Sequence, residues 1–324
     1  MPFVKVGYNL PAMGKLAYVF PGQGSQYVGM AYDFYREFHE SADVFHSAEQ
    51  ALRMSLPDIA DVILKGPEEK LNQTIYTQPG VLTASYAVYR AMESVGFPKP
   101  DFVAGHSLGE YTALLVAGGV ELFEAVRLTY LRAKYMQEAV PEGRGLMVAV
   151  LKIPPEEVER ICEEVKDLGI VEPANYNSPE QTVISGEREA VQRASEIAKE
   201  RGAKVIPLKV SVPSHCSLMR DAADAFRLKL AQTPIKNTRI PVVQNCTARS
   251  HTFAHEIREN LYRQVFSPVR WFQSVKFMVD QGVDTFVEVG PKKVLSKLIQ
   301  QTDQKVRVFS VEKVEDLEKV LKAL

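Results

Sequence analysis

Phe102-Val-Ala-Gly-His-Ser-Leu-Gly-Glu-Tyr111 runs from three apolar residues into a G-x-S-x-G pentapeptide, Gly105 to Gly109, and on into an apolar, helix-like stretch from Leu108 to Ala117. A strand that turns this sharply into a helix forces the apex residue into strained backbone geometry and projects its side chain clear of the sheet. Glycine on both sides lets the two segments pass that closely. Ser107 is therefore a candidate nucleophile. The Leu108 N–H, at the start of the helix, is a candidate oxyanion donor beside it. The competing reading is a helix cap, because Ser107 and Glu110 stand in S-x-x-E spacing. A cap requires neither glycine, so Gly105 and Gly109 favour the elbow.

Upstream, Leu16 to Phe20 reads as a short strand ending in Pro21-Gly-Gln-Gly-Ser-Gln26, too glycine-rich to continue as strand or helix. Helical patterns over about Val81 to Ser94 and Glu121 to Ala139 flank the elbow strand, and this alternation predicts a parallel sheet. Pro141-Glu-Gly-Arg-Gly145 then breaks the pattern. From 145 to 208 the order is strand, helix, strand, strand, helix, strand, the βαββαβ plan of ferredoxin-like units. The expectation is an α/β protein of 324 residues with a large subdomain over 1–144 and 209–324 and an inserted ferredoxin-like subdomain over 145–208. Residues 1–14 read as an extension ahead of the first strand, with Met13 an alternative start.

Composition narrows the functions. Net charge is -1, with 46% hydrophobic and 24% charged residues, which suits a globular protein without a global attraction to nucleic acid or membrane. No charged-then-apolar leader is seen, and no apolar run approaches the roughly 20 residues of a membrane span. Cys162, Cys216 and Cys246 form neither a disulfide framework nor a C-x-x-C metal motif. A cytoplasmic protein is expected, monomeric by default.

A serine hydroxyl needs a base. Of the six histidines, His215 in Val212-Pro-Ser-His-Cys216 is best placed, at the junction of the two subdomains, where substrate clefts commonly lie. The alternative there is a structural histidine bonded to its own loop. His39 and His46 lie on polar helical stretches, and His106 is tied to the elbow. His251 and His255 are spaced to share a helix face, but no third ligand is nearby and no metal is expected. Cys216 reads as a packed free thiol. Arg132 is the informative cation: its helical neighbours Leu128, Thr129, Tyr135, Met136, Ala125 and Ala139 carry no charge. An inward arginine needs an anion from elsewhere unless it snorkels to the surface, and a planar guanidinium suits a substrate carboxylate. The loop Gly22 to Gln26 lacks the third glycine of a dinucleotide fingerprint, but it is placed to lend a second oxyanion N–H.

Five blocks, Phe20 to Gln26, Gly105 to Tyr111, the Arg132 segment ending Met136-Gln-Glu-Ala-Val-Pro141, Val212 to Cys216 and Glu288-Val-Gly-Pro291, resemble in order the malonyl-CoA:acyl carrier protein transacylases, of the fatty-acid-synthesis type. The resemblance implies an α/β-hydrolase-like large subdomain and a ping-pong acyl transfer in which Ser107 attacks the malonyl thioester of coenzyme A and His215 takes its proton. It implies that the Gln23 and Leu108 amides hold the oxyanion and that Arg132 pairs with the free carboxylate. His215 would be oriented by a backbone carbonyl, here that of Gln264, so that alanine at 264 would leave much activity. Asn175 and Asn177 would lie near the substrate. No cofactor is implied; the partners are malonyl-CoA and acyl carrier protein. The competing functions are a serine hydrolase of esterase or patatin kind, for which an inward arginine is useless, and a non-catalytic carrier-binding scaffold, against which Ser107 and His215 speak.

Overall fold

The computed structural model describes residues 14–210 and 212–324; the proposed extension with Met13 lies, apart from Gly14, outside them. Two sheets carry the molecule. The larger consists of β1 (Lys15–Phe20), β2 (Phe102–Gly105), β7 (Val242–Gln244), β8 (Arg249–His251), β9 (Val283–Val289) and β10 (Arg307–Val311), in spatial order β10-β9-β1-β2-β7-β8. All its pairings are parallel except the β7–β8 hairpin. The central strands are apolar without alternation because helices cover both faces: β2 is buried throughout, as is β1 after Lys15.

The smaller sheet comprises β3 (Gly145–Leu151), β4 (Val171–Ser178), β5 (Gln181–Glu187) and β6 (Lys204–Pro207), ordered β4-β5-β3-β6 and antiparallel throughout. Helices Pro155–Glu164 and Arg188–Glu200 bury Val158, Ile161, Val191 and Ala194 against Val148, Val150 and Ile184 of this sheet. This is the βαββαβ order expected from the sequence, with its own apolar core. It is stitched to the larger body at β4, where Tyr176 N–H donates to Val269 O and Val269 N–H to Ala174 O.

One helix differs instructively from expectation. The helical pattern expected from about Val81 to Ser94 is longer in the structure, running from Thr74 to Ser94 with Pro79 inside it. Pro79 is the sixth residue of this helix and deprives the Ile75 carbonyl of its i+4 donor, a local cost outweighed by the burial of nearly every residue around it. Gln78 is thereby fixed on a buried helical turn. The strand β8 was not anticipated, and it separates His251 from His255, which lies in the helix Ala254–Gln264. The two do not share a helix face, and among the described residues no group of His, Cys, Asp or Glu is arranged to hold a metal.

Candidate active site

β1 and β2 lie in register with Phe20 opposite Gly105, so the glycine-rich loop and the elbow leave the sheet side by side at its carboxyl end. The approach is too close for any side chain. A Cβ on Gly105 would fall 1.9 Å from the Gly109 backbone, and one on Gly109 would fall 2.2 Å from Phe20 O. Ser107 sits at the apex with φ 53°, a conformation that costs a residue with Cβ free energy and persists only when its surroundings hold it. The capping alternative is not what forms. The helix Gly109–Val116 has no side-chain cap, and Glu110 turns inward to accept from Asn245 N–H at 2.7 Å and Gln244 Nε2 at 3.0 Å.

Ser107 Oγ and His215 Nε2 are 2.7 Å apart. His215 Nδ1 lies 2.8 Å from Gln264 O; a carbonyl can only accept, so Nδ1 carries the proton and Nε2 is free to accept the serine's. His215 is also held at positive φ, 62°, with its N–H on Val265 O. It is 2% exposed. Burial, and next the charge of Arg132, push its pKa down to about 3, so the imidazole is neutral at ordinary pH.

Arg132 reaches the same point from the helix Leu122–Ala139 and is buried, not snorkelling. Its Nη2 donates to Ser107 Oγ at 3.1 Å and to Gln264 Oε1 at 3.0 Å; its Nη1 donates to Gln78 Oε1 at 2.8 Å. The guanidinium lies over the Tyr111 ring at 5.6 Å. Its acceptors are neutral, and among the described residues its buried Nε–H has no partner. Burial works against the charged guanidinium, which makes an arriving carboxylate strongly favoured there.

A cleft of about 80 Å³ is lined by Ser107, His215, Arg132, Gln23, Leu108 and Asn175 among others. It shares Gln23, His106, Asn175 and Leu208 with a second cleft of about 240 Å³ between the two sheets. The Gln23 and Leu108 N–H groups have no protein acceptor among the described residues. Asn177 lines the outer cleft, but its Oδ1 is 2.7 Å from His106 Nε2, which links β4 to the elbow. The structure thus gathers Ser107, His215, Arg132 and Gln264 through direct bonds, with Gln23, Leu108 and Asn175 on the same wall.

Three residues escaped the sequence reading as parts of the site, Glu110 having been considered only as a helix-cap partner. Gln78 lies ahead of the expected helix start near Val81. Asn245 and Glu110 lie on the buried side of the elbow, where Asn245 Oδ1 accepts from Ser107 N–H at 2.8 Å. The Gln264 side chain was also undervalued: Nε2 donates to Ser107 O at 2.9 Å while Oε1 holds Arg132. In the Glu288-Val-Gly-Pro291 block, Glu288 is a buried cap, accepting from Leu295 N–H at 3.0 Å and Ser296 N–H at 2.7 Å. Cys162, Cys216 and Cys246 are free and buried.

The model of a family described as "Acyl transferase domain" matches residues 17–320. The malonyl CoA-acyl carrier protein transacylase of Escherichia coli K12 is 45% identical over 290 residues, covering 89% of this chain and 93% of that protein. The protein of the same name from Bacillus subtilis is 40% identical over 314 residues, 96% and 98% of the two chains. Among solved structures, the Coxiella burnetii malonyl CoA-acyl carrier protein transacylase superimposes with a TM-score of 0.92 at 42% identity, covering 96% of this chain and 98% of that one. A malonyl-transacylase in complex with its type II PKS acyl-carrier protein gives a TM-score of 0.93 at 42% identity, covering 96% and 100%.

Proposed function

The chain belongs to the acyl transferase family, among the malonyl-CoA:acyl carrier protein transacylases, and from that membership we propose that it moves a malonyl group from coenzyme A to the phosphopantetheine thiol of an acyl carrier protein through a malonyl ester on Ser107. The observation that carries the reading is the guanidinium of Arg132 within 3.1 Å of the Ser107 oxygen. In a malonyl group the free carboxylate is separated from the acyl carbon by a single methylene. A cation touching the nucleophile therefore reaches the carboxylate of the acyl group that the nucleophile attacks. A serine hydrolase for uncharged acyl chains has no use for it.

The steps follow from the geometry. Ser107 Oγ attacks the thioester carbon as its proton passes to His215 Nε2, and the carbonyl oxygen, now anionic, takes the Gln23 and Leu108 N–H groups. Collapse expels the coenzyme A thiolate, which recovers the proton from His215. The carrier thiol then attacks the malonyl-serine ester by the reverse path and leaves as the malonyl thioester. Binding of the malonyl carboxylate neutralises the charge of Arg132, one cause of the low His215 basicity, so the base strengthens when its substrate is bound. Transfer instead of hydrolysis requires that water be kept from the ester. No cofactor takes part in this scheme, and a monomeric cytoplasmic enzyme is the form in which we picture it.

Intact-protein mass spectrometry after incubation with malonyl-CoA tests the proposal, comparing wild type with Ser107→Ala and then adding phosphopantetheinylated carrier protein. A Ser107-dependent adduct that passes to the carrier is expected. An adduct lost to water without carrier acylation would return the protein to the hydrolases.

A further inference from the structure

Ser107 is held by its backbone as well as by its side chain. Its N–H donates to Asn245 Oδ1 at 2.8 Å and its C=O accepts from Gln264 Nε2 at 2.9 Å. The other end of the Asn245 amide is also committed, Nδ2 donating to Gly105 O at 2.7 Å. One side chain therefore brackets the elbow across His106 and pins the amide that leads into Ser107, the residue of positive φ. Asn245 is itself wholly buried just past the end of β7. Its backbone N–H is fixed by Glu110 Oε2 at 2.7 Å, and the other Glu110 oxygen takes Gln244 Nε2 at 3.0 Å. An amide, with its donor and its acceptor on separate atoms, is suited to such a bracket.

We propose that Asn245, anchored by Glu110, is a positioning residue for the acyl-transfer step: by engaging the Ser107 N–H and the Gly105 C=O it keeps Ser107 Oγ on His215 and leaves the neighbouring Leu108 N–H for the oxyanion. The proposal rests on the reading of Ser107 as nucleophile. Asn245 bonds the elbow backbone and the Gln264 amide, and neither Ser107 Oγ nor Arg132, so its effect is on the rate of acylation and not on the affinity for the donor, which Arg132 supplies.

The test is rapid-quench mass spectrometry of malonyl-enzyme formation across malonyl-CoA concentrations, normalised to titrated active sites, for wild type, Asn245→Ala and Asn245→Asp. The alanine variant is expected to acylate about 10- to 100-fold more slowly at saturation with an unchanged half-saturating concentration. Aspartate retains the acceptor for the Ser107 N–H and is expected to recover part of that loss. A wild-type rate per site in the alanine variant, whatever its melting temperature, overturns the proposal; so does a loss wholly in half-saturation, or an aspartate variant no faster than alanine. If Asn245→Ala does not fold, Asn245→Val, which likewise offers neither donor nor acceptor, replaces it with the same reading. A wild-type enzyme that forms no Ser107 adduct would sink the nucleophile assignment instead, which separates the two failures.

Discussion

Arg132 Nη2 donates to Ser107 Oγ at 3.1 Å across 25 residues of sequence, so the guanidinium and the hydroxyl proposed as the nucleophile are joined directly. On the proposed transfer, the guanidinium turns from the serine oxygen toward the malonyl carboxylate. Selectivity and nucleophile release are then linked in one side chain.

Removing that side chain separates the two substrates. Arg132→Ala is expected to lower kcat/KM for malonyl transfer by roughly 10²- to 10³-fold, the scale of a buried charge pair, and to spare or raise acetyl transfer. Parallel assays with malonyl-CoA and acetyl-CoA check this. An unchanged malonyl-to-acetyl ratio would remove Arg132 from carboxylate recognition.

Gln264 was expected to act only through its carbonyl, which alanine retains. Its side chain, however, holds both Arg132 and the Ser107 carbonyl. Gln264→Ala is therefore expected to reduce malonyl transfer about tenfold, from partners left unpaired in a buried site. Wild-type turnover in this variant would confine the residue to its backbone role.

The low pKa of His215, about 3, has burial as its larger cause and the Arg132 charge as its second. The acid limb of kcat/KM for acetyl-CoA is expected well below the ordinary histidine value of about 6.5. In Arg132→Ala the limb should move upward. Coincident limbs in the two enzymes would show that the guanidinium does not act on the base.

Glu110 behaves in the opposite sense, burial pushing its carboxyl up to about 7 from 4.5. The folded state binds the proton more tightly, so this group's contribution to stability is full below pH 4.5 and is lost as pH rises to about 7. Glu110→Gln lacks the linkage. Denaturation at a series of pH values should show the stability difference moving in the variant's favour between pH 4.5 and 7 and level above it. A flat difference throughout would mean the carboxyl titrates normally.

How much of this was legible depended on distance along the chain. The elbow could be read because its demands are local: Gly105 and Gly109 are four residues apart and press on each other's backbone. The inward face of Arg132 was visible because a helix brings residues three and four apart onto one side. The smaller sheet could be read from element order alone. Gln78 could not, since its helix had to be carried through Pro79, and nothing in the single sequence marked Asn245.

Sequence by itself determined the α/β class, the strained serine, an uncompensated arginine and the candidate base, because each is set by residues within a turn or by the succession of elements. Only the tertiary structure decided what these groups touch. Arg132 meets Gln78 across 54 residues, Ser107 meets His215 across 108 and Asn245 across 138. Those meetings are made by the packing of helices on the two sheets, whose apolar surfaces are interchangeable in sequence but not in shape, and the polar groups at their junctions take the partners that this packing brings within reach.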